Sequence, residues 1–350
     1  WQAYQSRLVA RGASALAVRA PKASGDLPEI PAPYERPQGR RWGRRGELET
    51  IAWNGYDIVP VRKDFYMEHP SVASRSEQQT QKILLENSIF ITQGKEYGAL
   101  PKPVDSFEEL AFPEWITDVL RSKGFLKPTA IQVQAWPAAL MGCDVVGISE
   151  TGSGKTLAYV VPMVVHILAQ ETLRPCEGPV GLVLVPTREL CKQVESEVLS
   201  ICSSQPDLIC KGIMGGEDSY AQDAALTEKC DVIVATPGRL IDMLAREATN
   251  LRRATFVVLD EADSMLETQN WVDVRRIMSQ IRPDRQVCMF SATWPEKIEQ
   301  LATDLCSSWP IHINVGGIKL GACKNVRQDF WRVSDPGQRP LQDVKLDRLA

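Results

Sequence analysis

The stretch VVGISETGSGKT, residues 145–156, decides the fold, because it joins an apolar run to a glycine-rich turn. Val145 to Ile148 is a short run typical of a buried strand, and Leu157 to Gln170 has the apolar spacing of a helix. Gly152 and Gly154 let backbone N–H groups turn toward an anion without a Cβ in the way. The helix that follows directs its positive end at the same anion. The stretch therefore predicts a phosphate-binding loop.

Two side chains of this loop carry the predicted chemistry. Lys155 can reach the β- and γ-phosphates of a nucleotide, and Thr156 can ligate Mg²⁺. The general pattern is G-x-x-x-x-G-K-[ST], and Ser149 stands where the first glycine would be. The strand before the loop and the helix after it nevertheless favour a site for ATP and magnesium.

Further apolar runs of similar length alternate with longer polar or amphipathic stretches. Such runs suit strands that are buried on both faces, and the stretches between them suit crossover helices. The pattern predicts an α/β fold with a central, mostly parallel sheet flanked by helices. The further runs are residues 181–185, 232–234, 256–259, 287–290 and 311–315, and shorter helices are predicted at 76–85 and at 115–120, with Pro113 in the first turn of the latter.

An acidic pair follows one of these runs. Asp260, at the end of the run 256–259, can hold Mg²⁺ through water, and Glu261 is placed to polarise an attacking water. Asp-Glu-Ala-Asp alone is also typical of a solvated helix start. Its position after a buried strand and downstream of a phosphate loop favours the catalytic interpretation.

Composition limits the other classes of protein. The 350 residues are 44% hydrophobic and 24% charged, and there is no apolar run of the roughly 18 residues that a membrane span needs. The net charge of -4 argues against a protein that coats nucleic acid by bulk charge. Nine cysteines without a C-x-x-C pair, and three distant histidines, indicate neither a zinc site nor a disulfide framework. We interpret the cysteines as small buried residues of a reducing compartment.

Taken together, these features resemble the DEAD-box family of ATP-dependent RNA helicases, since residues 260–263 spell the name motif. The resemblance covers about residues 60–350 and implies a RecA-like domain of the P-loop NTPase class. The other first-domain motifs stand in family order: the Q motif GFLKPTAIQ at 124–132 with Phe107 upstream, PTREL at 186–190, the glycine pair at 215–216, TPGR at 236–239 and SAT at 291–293.

The resemblance assigns roles to individual residues. It implies that Phe107 stacks on an adenine, that Thr129 and Gln132 read its edge, and that Ser291 and Thr293 hydrogen-bond Asp263. The implied catalytic residues are Lys155, Asp260, Glu261, Ser291 and Thr293, with Thr156 and Asp260 at the metal. The implied ATP-binding residues are Phe107, Phe125, Thr129, Gln132, Thr151, Gly152, Ser153, Gly154, Lys155, Thr156 and Asp263.

A second set of residues is implied to line an RNA track. Arginines can bind phosphate oxygens, while glycines and threonine hydroxyls let the backbone approach a sugar-phosphate chain. Such contacts read strand shape, so we expect single-stranded or locally paired RNA with low sequence specificity, and ribonucleoprotein components as partners. The implied RNA-binding residues are Pro186, Thr187, Arg188, Gly215, Gly216, Thr236, Pro237, Gly238 and Arg239.

The terminal segments leave several alternatives open. Residues 64–70, DFYMEHP, resemble a flank of a nuclear, RNP-remodelling subfamily, which favours the nucleus or cytoplasm. Residues 1–24 are rich in Ala and Arg and lack acid, so a mitochondrial or other organellar sequence stays open beside an ordinary basic tail. The arginine-rich residues 36–46 suit either a flexible phosphate grip or a solvated linker.

The predicted organisation has four parts: an extended basic arm at 1–50, a flank at 51–105, the ATP-binding domain at 106–316, and a linker with the start of a second RecA-like domain at 317–350. Because the family's arginine finger lies in that second domain, we expect this chain alone to hydrolyse ATP very weakly. The predicted function is RNA-stimulated ATP hydrolysis that drives local duplex unwinding or RNP remodelling. A non-catalytic RNA-binding or scaffold subunit is the alternative, and a DNA translocase is disfavoured by the Q motif.

Three departures from the family pattern stand close to the motifs. They are Ser149-Glu150 at the loop start, Cys191-Lys192 after PTREL, and residues 267–271 after the DEAD sequence. None removes a catalytic side chain. The last departure is expected to alter the helix that follows, or a partner surface there.

Overall fold

The computed structural model describes residues 48, 51, 53, 61–92, 100–216, 222, 226, 228–267, 270–306 and 309–316. The predicted arm at 1–50, apart from Leu48, lies outside the described residues. So do the predicted linker and second-domain start at 317–350. Elements are numbered below along the described part of the chain.

An eight-stranded sheet forms the centre of the described residues, with the strand order β1-β8-β2-β7-β6-β3-β5-β4. Each neighbouring pair is parallel except β1 and β8, which are antiparallel. The prediction of a mostly parallel sheet is confirmed, and each run expected to be a strand is one. The strands are β1 Ile89–Thr92, β2 Val145–Ile148, β3 Gly181–Leu184, β4 Cys210–Ile213, β5 Val232–Ala235, β6 Phe256–Leu259, β7 Gln286–Ser291 and β8 Ile311–Val315.

Helices flank the sheet and agree with the predicted ones to within a few residues. They are α1 Pro70–Ala73, α2 Glu77–Glu86, α3 Glu114–Ser122, α4 Ala130–Leu140, α5 Lys155–Leu168, α6 Arg188–Ile201, α7 Pro237–Ala245, α8 Ala262–Glu267, α9 Trp271–Met278 and α10 Glu296–Leu305, with a 3-10 turn at Phe107–Glu109. Helix α2 begins at a capping box, in which Ser76 Oγ accepts from Gln79 N at 3.3 Å and Gln79 Oε1 accepts from Ser76 N at 2.8 Å.

The two faces of the sheet carry separate apolar clusters. Neighbouring strand residues alternate between them, so Val145 belongs to one cluster and Val146 to the other. Helices α4, α5 and α6 bury their apolar residues in the first cluster, and α7 to α10 bury theirs in the second. Because both faces are covered, the strands read as continuous apolar runs in the sequence.

Trp136 joins the helices that flank the phosphate loop. Its side chain is fully buried, and its Nε1 donates to Leu157 O at 3.0 Å, which ties α4 to α5. The rings of Phe107 and Phe112 lie 5.9 and 5.4 Å from the Trp136 ring. The loop between β2 and α5 is therefore anchored on the side of α4.

The flank that precedes the predicted domain adds to the same sheet through β1. Phe65 N donates to Leu140 O at 2.6 Å, and the Phe65 ring contacts the His166 ring edge-on at 5.7 Å. Burial among these rings lowers the pKa of His166 to about 3. The flank therefore shares a sheet and a core with the predicted ATP-binding domain. The domain boundary between residues 105 and 106 stays a prediction. In the part of the chain described, no helix is long and apolar enough for a membrane span.

Candidate nucleotide and nucleic-acid site

The predicted site residues gather at one edge of the sheet. Residues 149–156 follow β2, Asp260 follows β6, and Ser291 ends β7, whose neighbours are β2 and β6. Because these strands are parallel, their carboxyl ends meet at the edge where open α/β sheets bind ligands.

Glycine is required in the phosphate loop for two different reasons. Gly152 and Gly154 have φ angles of +76° and +94°, in the left-handed region. A Cβ on Gly154 would also lie 2.6 Å from Thr129 Oγ1 and 2.7 Å from Gln132 Nε2, whereas Gly152 faces open space. Ser149, which replaces the usual first glycine, is buried, and its Oγ lies 2.7 Å from Ser153 Oγ. The replacement thus adds a hydrogen bond within the loop.

Lys155 is the buried cation of the site. Its Nζ donates to Ser149 O at 2.7 Å, and the side chain is buried. Burial lowers the pKa of Lys155, while Asp260, Asp263 and Glu261 act in the opposite direction. The ammonium group is therefore held within reach of the acidic residues. Helix α5 begins at Lys155 rather than at the predicted Leu157, because the lysine and Thr156 already form its first turn.

Both oxygens of the Asp260 carboxylate accept hydrogen bonds. Oδ2 accepts from Tyr159 OH at 2.8 Å, and Oδ1 accepts from Glu261 N at 2.9 Å. Burial raises the pKa of Asp260, and Tyr159 and Lys155 oppose that rise. The pKa of Glu261 is also raised, first by burial and then by Asp260. Glu261 has a φ of +50°, a conformation that costs a residue other than glycine about 1–3 kcal/mol.

The oxygen atoms at this edge suit a hard divalent cation. Asp260, Glu261 and Thr156 supply carboxylate and hydroxyl oxygens, which Mg²⁺ prefers. No group of three or more His, Cys, Asp or Glu in the described part of the chain forms a protein-only metal site. At phosphate sites in general, one or two carboxylates hold Mg²⁺ together with water and phosphate oxygens.

The Q-motif glutamine contacts the phosphate loop directly. Gln132 is buried, its Oε1 accepts from Thr129 N at 3.0 Å, and its Nε2 donates to Gly154 O at 3.0 Å. Phe107 is only 2% exposed and packs on Trp136, so its stacking on an adenine stays a prediction. Phe125 is half-buried, packs against the same core and keeps part of its ring accessible.

Replacing Gln132 by alanine should weaken ATP binding about tenfold and GTP binding much less, because the family resemblance implies that this amide reads adenine, and its bond to Gly154 O is lost with it. Titration with each nucleotide measures the two affinities. Gln134→Ala is the matched control, since this buried glutamine of the same helix donates instead to Pro101 O at 2.9 Å. Equal losses for ATP and GTP would show that Gln132 does not read adenine.

The predicted link from Asp263 to the SAT segment is present through Thr293. Thr293 donates to Asp263 Oδ2 from its backbone N at 3.0 Å and from its Oγ1 at 2.8 Å. Ser291 makes a different contact from the predicted one. Its Oγ accepts from the backbone N of Asp263 at 3.4 Å, so it holds the backbone rather than the carboxylate.

A groove of about 580 Å³ collects most of the predicted RNA-binding residues beyond the ends of β3, β4 and β5. Eight of the nine predicted residues line it, and Gly216 lines an adjoining cavity of about 240 Å³. A Cβ on Gly216 would lie 2.4 Å from Arg188 Nη1, so glycine there lets the guanidinium lie against the loop. The groove is lined by Pro186, Thr187, Arg188, Glu189, Gly215, Thr236, Pro237, Gly238, Arg239, Asp242 and Asn270.

Several residues at the groove were not predicted. Asp242 lies one helical turn after Arg239 on α7, a spacing that could have indicated it. Asn270 belongs to the departure after the DEAD sequence, and Lys192, from another departure, lines the adjoining cavity. Gln222 has no signal in its local sequence, yet its Oε1 accepts from Arg239 Nε at 3.0 Å and its Nε2 donates to Met214 O at 3.1 Å.

Comparisons with known proteins agree with this geometry. The DEAD/DEAH box helicase family matches residues 129–301. An ATP-dependent RNA helicase DBP2 of Ajellomyces capsulatus is 45% identical over 303 residues, which are 86% of this chain and 55% of that protein. The dbp2 helicase of Aspergillus fumigatus is 44% identical over 86% of this chain and 54% of its own length. This chain thus spans about half the length of these relatives.

Solved structures that resemble this chain also include DEAD-box proteins. The crystal structure of the yeast DEAD-box splicing factor Prp28 matches with a TM-score of 0.66 at 28% identity, covering 72% of this chain and 58% of that one. The RNA helicase Prp28 of Chaetomium thermophilum, bound to ADP, matches with a TM-score of 0.63 at 31% identity, covering 72% and 60%.

Proposed function

Because this chain belongs to the DEAD/DEAH box helicase family, we propose that its protein is an ATP-dependent RNA helicase and that this part binds ATP, Mg²⁺ and one RNA strand. The single observation that carries the proposal is the placement of two sites at one edge of one sheet. A phosphate loop with its acidic residues lies beyond β2 and β6, and a groove with two arginines lies beyond β3, β4 and β5.

The nucleotide part of the proposal rests on the loop and the residues that face it. Lys155 binds the terminal phosphates, and backbone N–H groups at Gly152 and Gly154 surround them. Bound Mg²⁺ would neutralise charge on the phosphates, near Thr156 and Asp260. Glu261, whose pKa is raised by burial, orients the attacking water and accepts its proton.

The RNA part rests on the character of the groove. Arg188 is exposed and Arg239 is half-buried, and both line it. Arg239 is oriented by Gln222, and glycines leave the backbone accessible at three positions of the two cavities. These groups bind phosphate and sugar rather than base edges, so the proposed substrate is a single strand or a locally paired RNA, recognised with low sequence specificity.

Coupling between the sites would pass through Asp263. Thr293, which follows β7, donates twice to this carboxylate, and Asp263 lies in the first turn of the helix that directly follows Glu261. A change in the acidic residues on nucleotide binding would therefore reach the segment after β7. We propose ribonucleoprotein as the setting, in the nucleus or cytoplasm, on the likeness to the splicing factor Prp28 and on the resemblance of residues 64–70 to a flank of an RNP-remodelling subfamily.

The proposal is tested by measuring ATP hydrolysis by the whole protein, and not by this chain alone, with and without single-stranded RNA. We expect RNA to raise the rate, and DNA of the same sequence to have little effect. RNA binding without hydrolysis at saturating ATP and Mg²⁺ would instead support a non-catalytic RNA-binding subunit. Equal stimulation by DNA would contradict the assignment to RNA.

The salt dependence of RNA binding tests whether the groove binds the RNA strand. Each phosphate contact contributes about 0.7 to the slope of log affinity against log salt for a single strand, so Arg239→Gln should reduce that slope by about 0.7. Arg121→Gln removes an arginine that pairs with Glu108 and does not line the groove, and it should leave the slope unchanged.

A further inference from the structure

Tyr159 places a buried hydroxyl between the phosphate loop and the acidic residues. It lies on α5 three residues after Thr156, and its side chain is fully buried. Its OH donates to Asp260 Oδ2 at 2.8 Å, across 101 residues of sequence. Neither the motifs nor the family comparisons assign this residue a role, since a tyrosine in an apolar helix reads as core.

The position of the Tyr159 hydroxyl is fixed by packing. The Tyr159 ring contacts the Phe290 ring, with centroids 5.4 Å apart. Phe290 in turn lies so close to β2 that a Cβ on Gly147 would come within 2.5 Å of it. Burial raises the pKa of Tyr159 well above its ordinary value, so the phenol stays protonated and remains a donor.

The Asp260 carboxylate is thereby held at both oxygens. Tyr159 donates to Oδ2, and the Glu261 backbone donates to Oδ1 at 2.9 Å. Thr156 stands three residues before Tyr159 on α5, so the two side chains lie on the same face of the helix. The hydroxyl thus contacts one predicted metal ligand and lies beside the other.

We propose that Tyr159 is a positioning residue for the metal site: its hydroxyl holds the Asp260 carboxylate in the orientation that receives a nucleotide-bound Mg²⁺ beside Thr156. This inference rests on the proposed function and adds to it a residue that touches neither nucleotide nor metal. A phenylalanine at the same position would keep the packing on Phe290 and lose only the donor.

The proposal predicts different effects on the nucleotide affinity without metal and on the Mg²⁺ concentration needed for binding. If Tyr159 only supported the structure in general, its replacement would change both quantities together. The Lys155 ammonium group is held by Ser149 O and not by the Tyr159 hydroxyl, so nucleotide binding in the absence of metal should not depend on that hydroxyl. The Mg²⁺ concentration needed for half-saturation should depend on it, because the carboxylate would lose one of its two fixed hydrogen bonds.

The experiment compares the unmodified chain with Tyr159→Phe. A fluorescent ATP analogue is titrated first in EDTA and then at fixed nucleotide with increasing Mg²⁺. For Tyr159→Phe we expect a half-saturating Mg²⁺ concentration about tenfold higher, the loss typical of one hydrogen bond to a charged group, and an affinity in EDTA within about twofold of the unmodified chain. Tyr66→Phe is the matched control, since it removes another buried tyrosine hydroxyl, on the flank, and should change neither value.

Two results would overturn the inference. One is an unchanged Mg²⁺ dependence in Tyr159→Phe. The other is a parallel fall in the EDTA affinity, which would mean that the hydroxyl supports the loop as a whole. If the unmodified chain binds no nucleotide under either condition, the proposed function fails, and the inference fails with it. Normal binding with an unchanged Mg²⁺ dependence overturns the inference alone.

Discussion

Lys155→Ala should abolish ATP binding by this chain, with a loss of at least about 3 kcal/mol, or more than a hundredfold in affinity. The ammonium group is already in place, because its bond to Ser149 O holds it in the loop. Its removal leaves the phosphates and the acidic residues Asp260 and Glu261 to face one another without a cation between them. The repulsion between these negative charges is largest when ATP is bound, so the loss appears as weaker ATP binding.

Calorimetric titration with ATP and Mg²⁺ measures this loss. Lys123→Ala is the control, because this lysine pairs with Glu197 at 2.7 Å, outside the loop. It should bind ATP as the unmodified chain does. An unchanged affinity in Lys155→Ala would refute the phosphate-loop assignment. Thermal unfolding without nucleotide should show that both variants are folded.

Trp136→Ala should lower the free energy of unfolding by about 3–5 kcal/mol, the usual cost of truncating a buried tryptophan. The side chain is fully buried, packs on Phe107 and Phe112, and donates to Leu157 O. The truncation would leave a cavity between α4 and α5 and would remove the side-chain hydrogen bond that joins the two helices. Such a loss is a large share of the stability of an ordinary domain.

Urea unfolding followed by circular dichroism measures the change. Trp309 is 49% exposed, so Trp309→Ala should cost less than about 1 kcal/mol. A similar loss in the two variants would mean that Trp136 does not join the two helices in the way the structure indicates. If the tryptophan anchors the loop, Trp136→Ala should also weaken nucleotide binding, while Trp309→Ala should not.

The sheet was largely predictable because most of its strands are buried on both faces. Two strands escaped the pattern for identifiable reasons. In β4, Lys211 and Gly212 interrupt the apolar run, and the strand is held by pairing with β5. In β1, alternating exposure and a length of 4 residues give little signal, and its antiparallel pairing depends on β8. Both strands form because they pair with distant strands, and the local periodicity of the sequence carries no information about that pairing.

In the candidate site, too, some residues could be predicted from the local sequence and others depend on distant contacts. Lys155, Asp260 and the glycines of the loop were predictable, because local chemistry fixes which residue types the phosphates and metal need. Tyr159 was not, since its hydrogen-bond partner Asp260 follows β6, 101 residues further along the chain. Asn270 lines the groove and Gln222 contacts Arg239 there, although both belong to segments that the motifs do not cover. The sequence therefore predicts the groups proposed to contact ligands more readily than the side chains that orient those groups.

The pairing of β1 with β8 also has a consequence for how the chain acquires its structure during synthesis. The first described strand hydrogen-bonds to the last, from Ile89 opposite Val315 to Thr92 opposite His312. An isolated strand of this length has no independent stability, so β1 must wait until β8 has left the ribosome. Closing so long a loop makes this pairing a late, slow event. Translation thus delivers β1 before the other strands of the sheet, and folding incorporates it last.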